Sequence, residues 1–142
     1  MNVPDNAKIL AQTFEGFFPK PYICPAGFWT IAWGHLCTKD HPPVTLEQGE
    51  TYLSEDMMNA LLATIRLCPV LMTEASDLLG SIVDFTFNLG AGRLQQSTLR
   101  RRINQRNWPE VRKELGKWVY GGGRKLPGLV LRRAAEIRFI TG

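Results

Sequence analysis

Glu15, Cys24 and Thr30 stand close together in a stretch running "EGFFPKPYICPAGFWTIAWGH", from Glu15 to His35. The stretch is otherwise aromatics, prolines, glycines and small apolar residues, with Lys20 its only other charge. A carboxyl among apolar side chains is disfavoured as the anion and keeps a proton to donate, so Glu15 is a candidate general acid. Cleavage of a glycosidic bond needs such an acid and, on the other face of the sugar, a second group acting as base or nucleophile. Cys24 and Thr30 are the groups available nearby. The same residues also fit a plainer reading, in which Glu15 is a surface carboxylate and Cys24 a small buried hydrophobe.

The elements that must position these residues are legible in outline. Asp5 can cap a helix over about residues 6–15. Ile9, Leu10 and Phe14 would form its apolar face and Glu15 its C-terminal end. The helix dipole disfavours a carboxylate there, which hints that Glu15 is kept for another purpose. "KPYIC" and "FWTIAW" read as two short antiparallel strands with a "PAG" turn between them. Thr45 and Gln48 predict a capping box opening a helix that runs to about Cys68 and Pro69, with a possible break near Ser54.

Further helices are expected over 73–89, 97–105, 109–118 and 128–140. The first of these, with Leu78, Leu79, Ile82, Val83, Phe85 and Phe87 on more than one side, should be buried and end at Gly90 and Gly92. Ser97 or Thr98 should cap the next. Trp108, Val111, Leu115 and Trp118 form one apolar stripe, and Val130, Ala134 and Ile137 another. "YGGGRKLPG" reads as a loop. Together these elements predict an α+β fold, a small sheet followed by a helical body.

Charge is distributed unevenly along the 142 residues: residues 1–92 hold four Lys/Arg and ten Asp/Glu, residues 93–142 thirteen and three. The C-terminal third should attract polyanions such as nucleic acid, anionic lipid or cell-wall polymer. A solvated basic helix face explains the same run. Three cysteines, Cys24, Cys37 and Cys68, leave an incomplete disulfide set and no CxxC pair. A zinc site built on His35, Cys37 and His41 lacks a fourth ligand at a recognisable spacing. No apolar run reaches the roughly 20 residues of a membrane span. No export signal is expected from "MNVPDNAKIL".

Three blocks carry a resemblance. Glu15-Gly16, Pro21-Tyr22-Ile23-Cys24 and Gly27 through His35 resemble the E-G, A-Y-x-D/C, G-x-x-T-I-G-x-G-H signature of the phage-type lysozymes, the endolysins that cut peptidoglycan. "VDFTFNLGAGRLQQSTL" and "GLVLRRAAEIRF" resemble that family's later helices, in the same order. The resemblance implies a lysozyme-like domain over 1–142. A sheet-containing lobe would cover about 15–55, and a helical lobe about 1–14 and 70–142, with a joining helix and a cleft between. It implies a muramidase cutting the β-1,4 bond between N-acetylmuramic acid and N-acetylglucosamine. Glu15 would be the acid, with a water positioned by Thr30 and Cys24, and Cys24 would stand where many members have Asp.

Substrate contacts would come from His35, Leu36, Phe87, Asn88 and Gly90, with Asn88 facing an N-acetyl group. His35 has a second expected use, anchoring the sheet by hydrogen bonds. No metal or cofactor is implied. The implied partners are peptidoglycan, an anionic wall or outer-membrane surface met by the basic third, and a holin that opens the membrane. The protein would act as a monomer and wait in the host cytoplasm until the membrane is permeabilised, then reach the periplasm and wall. Ala32 replaces the usual Gly, and its methyl should press on strand packing. Rival readings are a nucleic-acid-binding domain, which leaves Glu15, Cys24 and Thr30 unexplained, and a catalytically dead wall binder.

Overall fold

The computed structural model describes residues 1–142. The chain opens with α1 (Asp5–Glu15), a three-stranded antiparallel sheet of β1 (Phe18–Ile23), β2 (Trp29–Ala32) and β3 (His35–Leu36), and a long helix α2 (Leu46–Leu67). A 3-10 turn (Pro69–Thr73) leads to α3 (Ser76–Leu89), α4 (Ala91–Gln95), α5 (Thr98–Asn104) and α6 (Trp108–Leu115). A two-stranded hairpin, β4 (Tyr120–Gly121) with β5 (Arg124–Lys125), precedes α7 (Pro127–Ile137). The fold is the expected α+β arrangement.

Local chemistry explains the boundaries that were legible. Thr45 accepts from the Gln48 amide at 3.1 Å and the Gln48 side chain accepts from the Thr45 amide at 2.8 Å, closing the capping box. α2 continues unbroken through Ser54. Ser97 caps α5 by accepting from Arg100 N, and Thr98 is its first helical residue. Asp5 does not cap α1: it lies inside the first turn, behind Pro4.

Five further expectations need correction. Ile9 faces solvent at 61% exposure, and α1 instead buries Asn6, Ala7, Leu10 and Ala11. Gly80 is why α1 and α3 come so close, because a Cβ there would overlap Asn6 and Pro4. The "YGGGRKLPG" segment is a hairpin, with Gly122 and Gly123 both at positive φ, as a tight two-residue turn requires. A third strand, β3, pairs with β2. Gly92 ends no helix but sits within α4. In α7, Arg132, Arg133 and Glu136 are the buried residues, while Ala134 is exposed and Val130 and Leu131 face largely outward.

The main core gathers 21 residues, most of them from the helices, including Leu53, Met57, Leu61, Ile82, Phe85, Leu99 and Leu115. Ile31, Ala32 and Val44 form a small second cluster under the sheet, packed by Phe17, Cys37 and Tyr52. α2 reaches both, since Leu53, Met57 and Leu61 lie in the first and Tyr52 packs on the second. β1 is irregular between Phe18 and Tyr22, where the register with β2 shifts. Pro19 and Pro21 lie there, and neither can donate to a ladder.

Candidate active site

Glu15 is the last residue of α1, and Gly16 turns the chain away at φ 68°. The carboxyl is part-exposed (19%) and accepts a hydrogen bond from Arg132 Nη1 at 2.5 Å. Its surroundings are therefore not only apolar: a guanidinium offsets the unfavourable end of the helix dipole. Gly34, in the β2–β3 turn, presses on the other side. A Cβ at 34 would lie 3.0 Å from Glu15 Cδ and Oε1.

Arg132 is itself held. Its Nε and Nη2 donate to the two carboxylate oxygens of Asp84 at 2.9 and 2.7 Å. The guanidinium lies 5.9 Å from the Phe14 ring and 6.0 Å from that of Phe87. Asp84 is fully buried, yet burial is outweighed by Arg132 and its carboxyl is held below the usual range. Next on α7, Arg133 donates to Asn88 Oδ1 at 2.7 Å and to Glu136 Oε2 at 2.9 Å. Burial, and after it the neighbouring Asp84 carboxyl, push Glu136 well above the ordinary carboxyl range.

Cys24 opens the turn between β1 and β2, with Cys24 N donating to Phe28 O at 2.9 Å and Gly27 N to Cys24 O at 2.8 Å. Burial works against the thiolate, but it is outweighed by hydrogen bonds from the Phe28 amide, the Thr30 hydroxyl and the Ala26 and Gly27 amides. The thiol sits below its ordinary value. Thr30 is buried on β2, and its hydroxyl is also placed to donate to Phe28 O at 2.9 Å. Tyr22 pairs with Thr30 across the sheet. Its phenol is pushed up by burial and by the nearby Glu15 and Cys24 charges.

The other predicted residues divide. Phe87 lies beside Arg132, and Asn88 keeps only its NH2 free because its oxygen serves Arg133. Leu36 is 65% exposed opposite Thr30, and Gly90 is the exposed C-cap of α3 at φ 96°. His35 is committed to the sheet edge: Nδ1 contacts Asp56 Oδ2 at 2.8 Å and the ring stacks on Tyr52 at 4.0 Å. His41 bonds Tyr52, and the histidines gather no third ligand for a metal. Trp33 is buried against Phe17. Cys68 lies in the helical core and Cys37 against the sheet cluster, and all three cysteines are free. Burial takes Cys68 to about 12.

Residues 12–136 match the family model for phage lysozyme. The chain belongs to the phage lysozyme family. Among phage lysozyme relatives, an endolysin from Acyrthosiphon pisum secondary endosymbiont phage 1 is 33% identical, over 96% of this chain and 95% of its own length. An endolysin from Bacillus phage B103 is 31% identical over the whole chain, which spans only 55% of that relative. The muramidase domain of SpmX from Asticaccaulis excentricus superposes with a TM-score of 0.85 at 25% identity, covering 99% of this chain and 98% of that one. Membership implies peptidoglycan hydrolysis and host lysis. Sequence reasoning passed over Tyr22, Asp84, Arg132, Arg133 and Glu136. The available signal was an aspartate inside "LLGSIVDFTF" and an R-R-x-x-E run on the last helix.

Proposed function

We propose that this phage lysozyme is a muramidase that cuts the β-1,4 bond between N-acetylmuramic acid and N-acetylglucosamine. Glu15 protonates the leaving glycosidic oxygen. Arg132 then receives the carboxylate that remains, since its Nη1 already faces that oxygen. Cys24 and Thr30 hold the attacking water on the opposite face of the sugar, which gives inversion. The observation that carries this reading is the packing of Glu15 against Gly34, in the same small sheet on which Thr30 is buried and at whose β1–β2 turn Cys24 stands.

A thiol held below its ordinary value by backbone amides and Thr30 is present as the thiolate more than a free cysteine is. It therefore serves where a carboxylate serves in other members. Leu36, Phe87 and Gly90 border the sugar path, and the free Asn88 NH2 donates to an N-acetyl carbonyl. His35 contributes by fixing β3. The outward basic groups that form no ion pair, Arg93, Arg101, Arg124, Lys125 and Arg138, meet the anionic wall or outer-membrane surface. Arg132 and Arg133 are turned inward and take no part in that contact. No helix is long and apolar enough to cross a membrane. We propose a monomer of one lysozyme-like domain, held in the host cytoplasm until a holin opens the way to the wall.

Mass analysis of fragments released from purified peptidoglycan tests this directly. Products with muramic acid at the reducing end support a muramidase. Products with glucosamine at that end, free stem peptides, or anhydro-muramic ends would each replace it with another wall hydrolase.

A further inference from the structure

The inner face of α7 is polar. Asp84 and Glu136 are 0% exposed, Arg133 1% and Arg132 3%. Burying four ionisable side chains is costly unless their charges are matched and their hydrogen bonds made. The hydrogen bonds run in two chains, which meet where Glu136 neighbours Asp84. Asp84 grips Arg132 with both oxygens, and the remaining arm of Arg132 holds Glu15. Glu136 grips Arg133, and Arg133 holds Asn88. Arg133 Nε lies 2.7 Å from Glu136 Oε1 but is not aimed along a hydrogen bond, so both buried atoms are left without a hydrogen-bond partner.

We infer that Asp84 and Glu136 are positioning residues, which act through Arg132 and Arg133 to hold the Glu15 carboxyl and the Asn88 amide as one unit. The inference rests on the muramidase reading for its catalytic consequence, but not for the coupling itself. The groups that face one another are Glu15 on α1, Asp84 and Asn88 on α3, and Arg132, Arg133 and Glu136 on α7. Tyr22 and Cys24 lie beyond Glu15. Burial and the neighbouring Asp84 carboxylate favour the protonated form of Glu136, so Asp84 is the buried anion that answers the guanidinium groups. A protonated Glu136 donates to Asp84, and a glutamine amide can do the same.

The test compares Asp84→Asn, Glu136→Gln, Glu136→Leu and the double variant Asp84→Asn/Glu136→Gln. Measurements are kcat and KM on soluble peptidoglycan oligomers across pH, and the Asn88 side-chain amide signal by NMR. Asp84→Asn and Glu136→Leu should each lower kcat at least about tenfold, with KM within about threefold. Glu136→Gln should recover most of what Glu136→Leu loses. In the double variant Glu15 is the one carboxyl left against Arg132, so the whole field of that guanidinium falls on it and the alkaline limb of kcat/KM moves to lower pH. Asp84→Asn should shift the Asn88 amide signal although the two side chains share no hydrogen bond.

If Asp84→Asn does not fold, Arg132→Lys replaces it, since lysine cannot span Asp84 and Glu15 together; the same kcat loss is expected. Unchanged kcat, an unmoved limb in the double variant, or a Glu136→Gln loss equal to that of Glu136→Leu would each overturn the inference. So would an unmoved Asn88 signal. A wild-type protein that releases no muropeptides would sink the muramidase reading alone, and the NMR comparison would still decide the coupling.

Discussion

Gly34 lies against Glu15 so closely that a methyl group at position 34 would stand 3.0 Å from the carboxyl carbon. The two residues come from opposite ends of the aromatic-rich stretch. The turn that follows β2 is thus the wall that fixes the proposed acid from behind, while Arg132 fixes it from the side. Gly34 is at φ 72°, a conformation that costs an L-residue roughly 1–2 kcal/mol.

Gly34→Ala should therefore be destabilised by about that amount in urea unfolding and lose activity out of proportion to it. The expected outcome is at least a tenfold fall in kcat in protein that is still folded. A stable Gly34→Ala protein with full activity would show that Glu15 tolerates displacement.

Ala32 is at φ 56° and is fully buried, with its methyl near Gly49. Ala32→Gly relieves a strain of roughly 1–2 kcal/mol. It also gives up about 0.8 kcal/mol of buried methyl and about 0.4–1 kcal/mol through the freer unfolded chain. The terms nearly cancel, and chemical denaturation should place the variant within about 1 kcal/mol of the parent. Ala32→Val has no such compensation. Its branched side chain is strained at positive φ and meets Trp33 and Gly49, so it should be clearly destabilised.

Much of this arrangement was legible in sequence where the cause is local. The Thr45–Gln48 box, the Ser97 cap and the turn between Cys24 and Phe28 each depend on residues a few positions apart. Glu15 and Thr30 stood out because a carboxyl and a hydroxyl are few in an apolar stretch. The polar interior was not legible, because Arg132 is matched to Asp84 48 positions away and to Glu15 117 positions away. Without those partners, Arg132 and Arg133 read as part of a solvated basic run. Of the apolar stripe of Val130, Ala134 and Ile137, Ile137 packs on the core while the ion network leaves Val130 and Ala134 facing outward. Ile9 failed differently: packing against α3 selects the small residues Ala7 and Ala11, and leaves the larger side chain outside.

The Cys24 thiol should react with iodoacetamide at a rate that rises with pH and levels off below the range of an ordinary cysteine, because the turn amides and Thr30 favour the thiolate. Cys68 should stay unreactive in the folded protein. Cys24→Asp should remain active, Cys24→Ala should lose much of the rate, and Cys24→Ser should fall between. NMR of the first-formed sugars should show inversion. A retained β-anomer would make Cys24 a nucleophile instead.

Neutralising Arg101, Arg124 and Lys125 should weaken lysis of whole anionic cells, most at low salt where screening is least. Cleavage of a short neutral chitooligosaccharide should change little. Equal losses on the two substrates would argue against a surface role for these groups.

The central claim is that Glu15 donates the proton, and the direct measurement is the rate of muropeptide release by Glu15→Gln. The amide keeps the shape and can still meet Arg132 through its oxygen, but it has no acidic proton to give. Folding is checked by its unfolding transition. A loss of at least about a hundredfold is expected, the scale of general acid catalysis. A folded Glu15→Gln protein that releases muropeptides at near the parent rate would contradict the account.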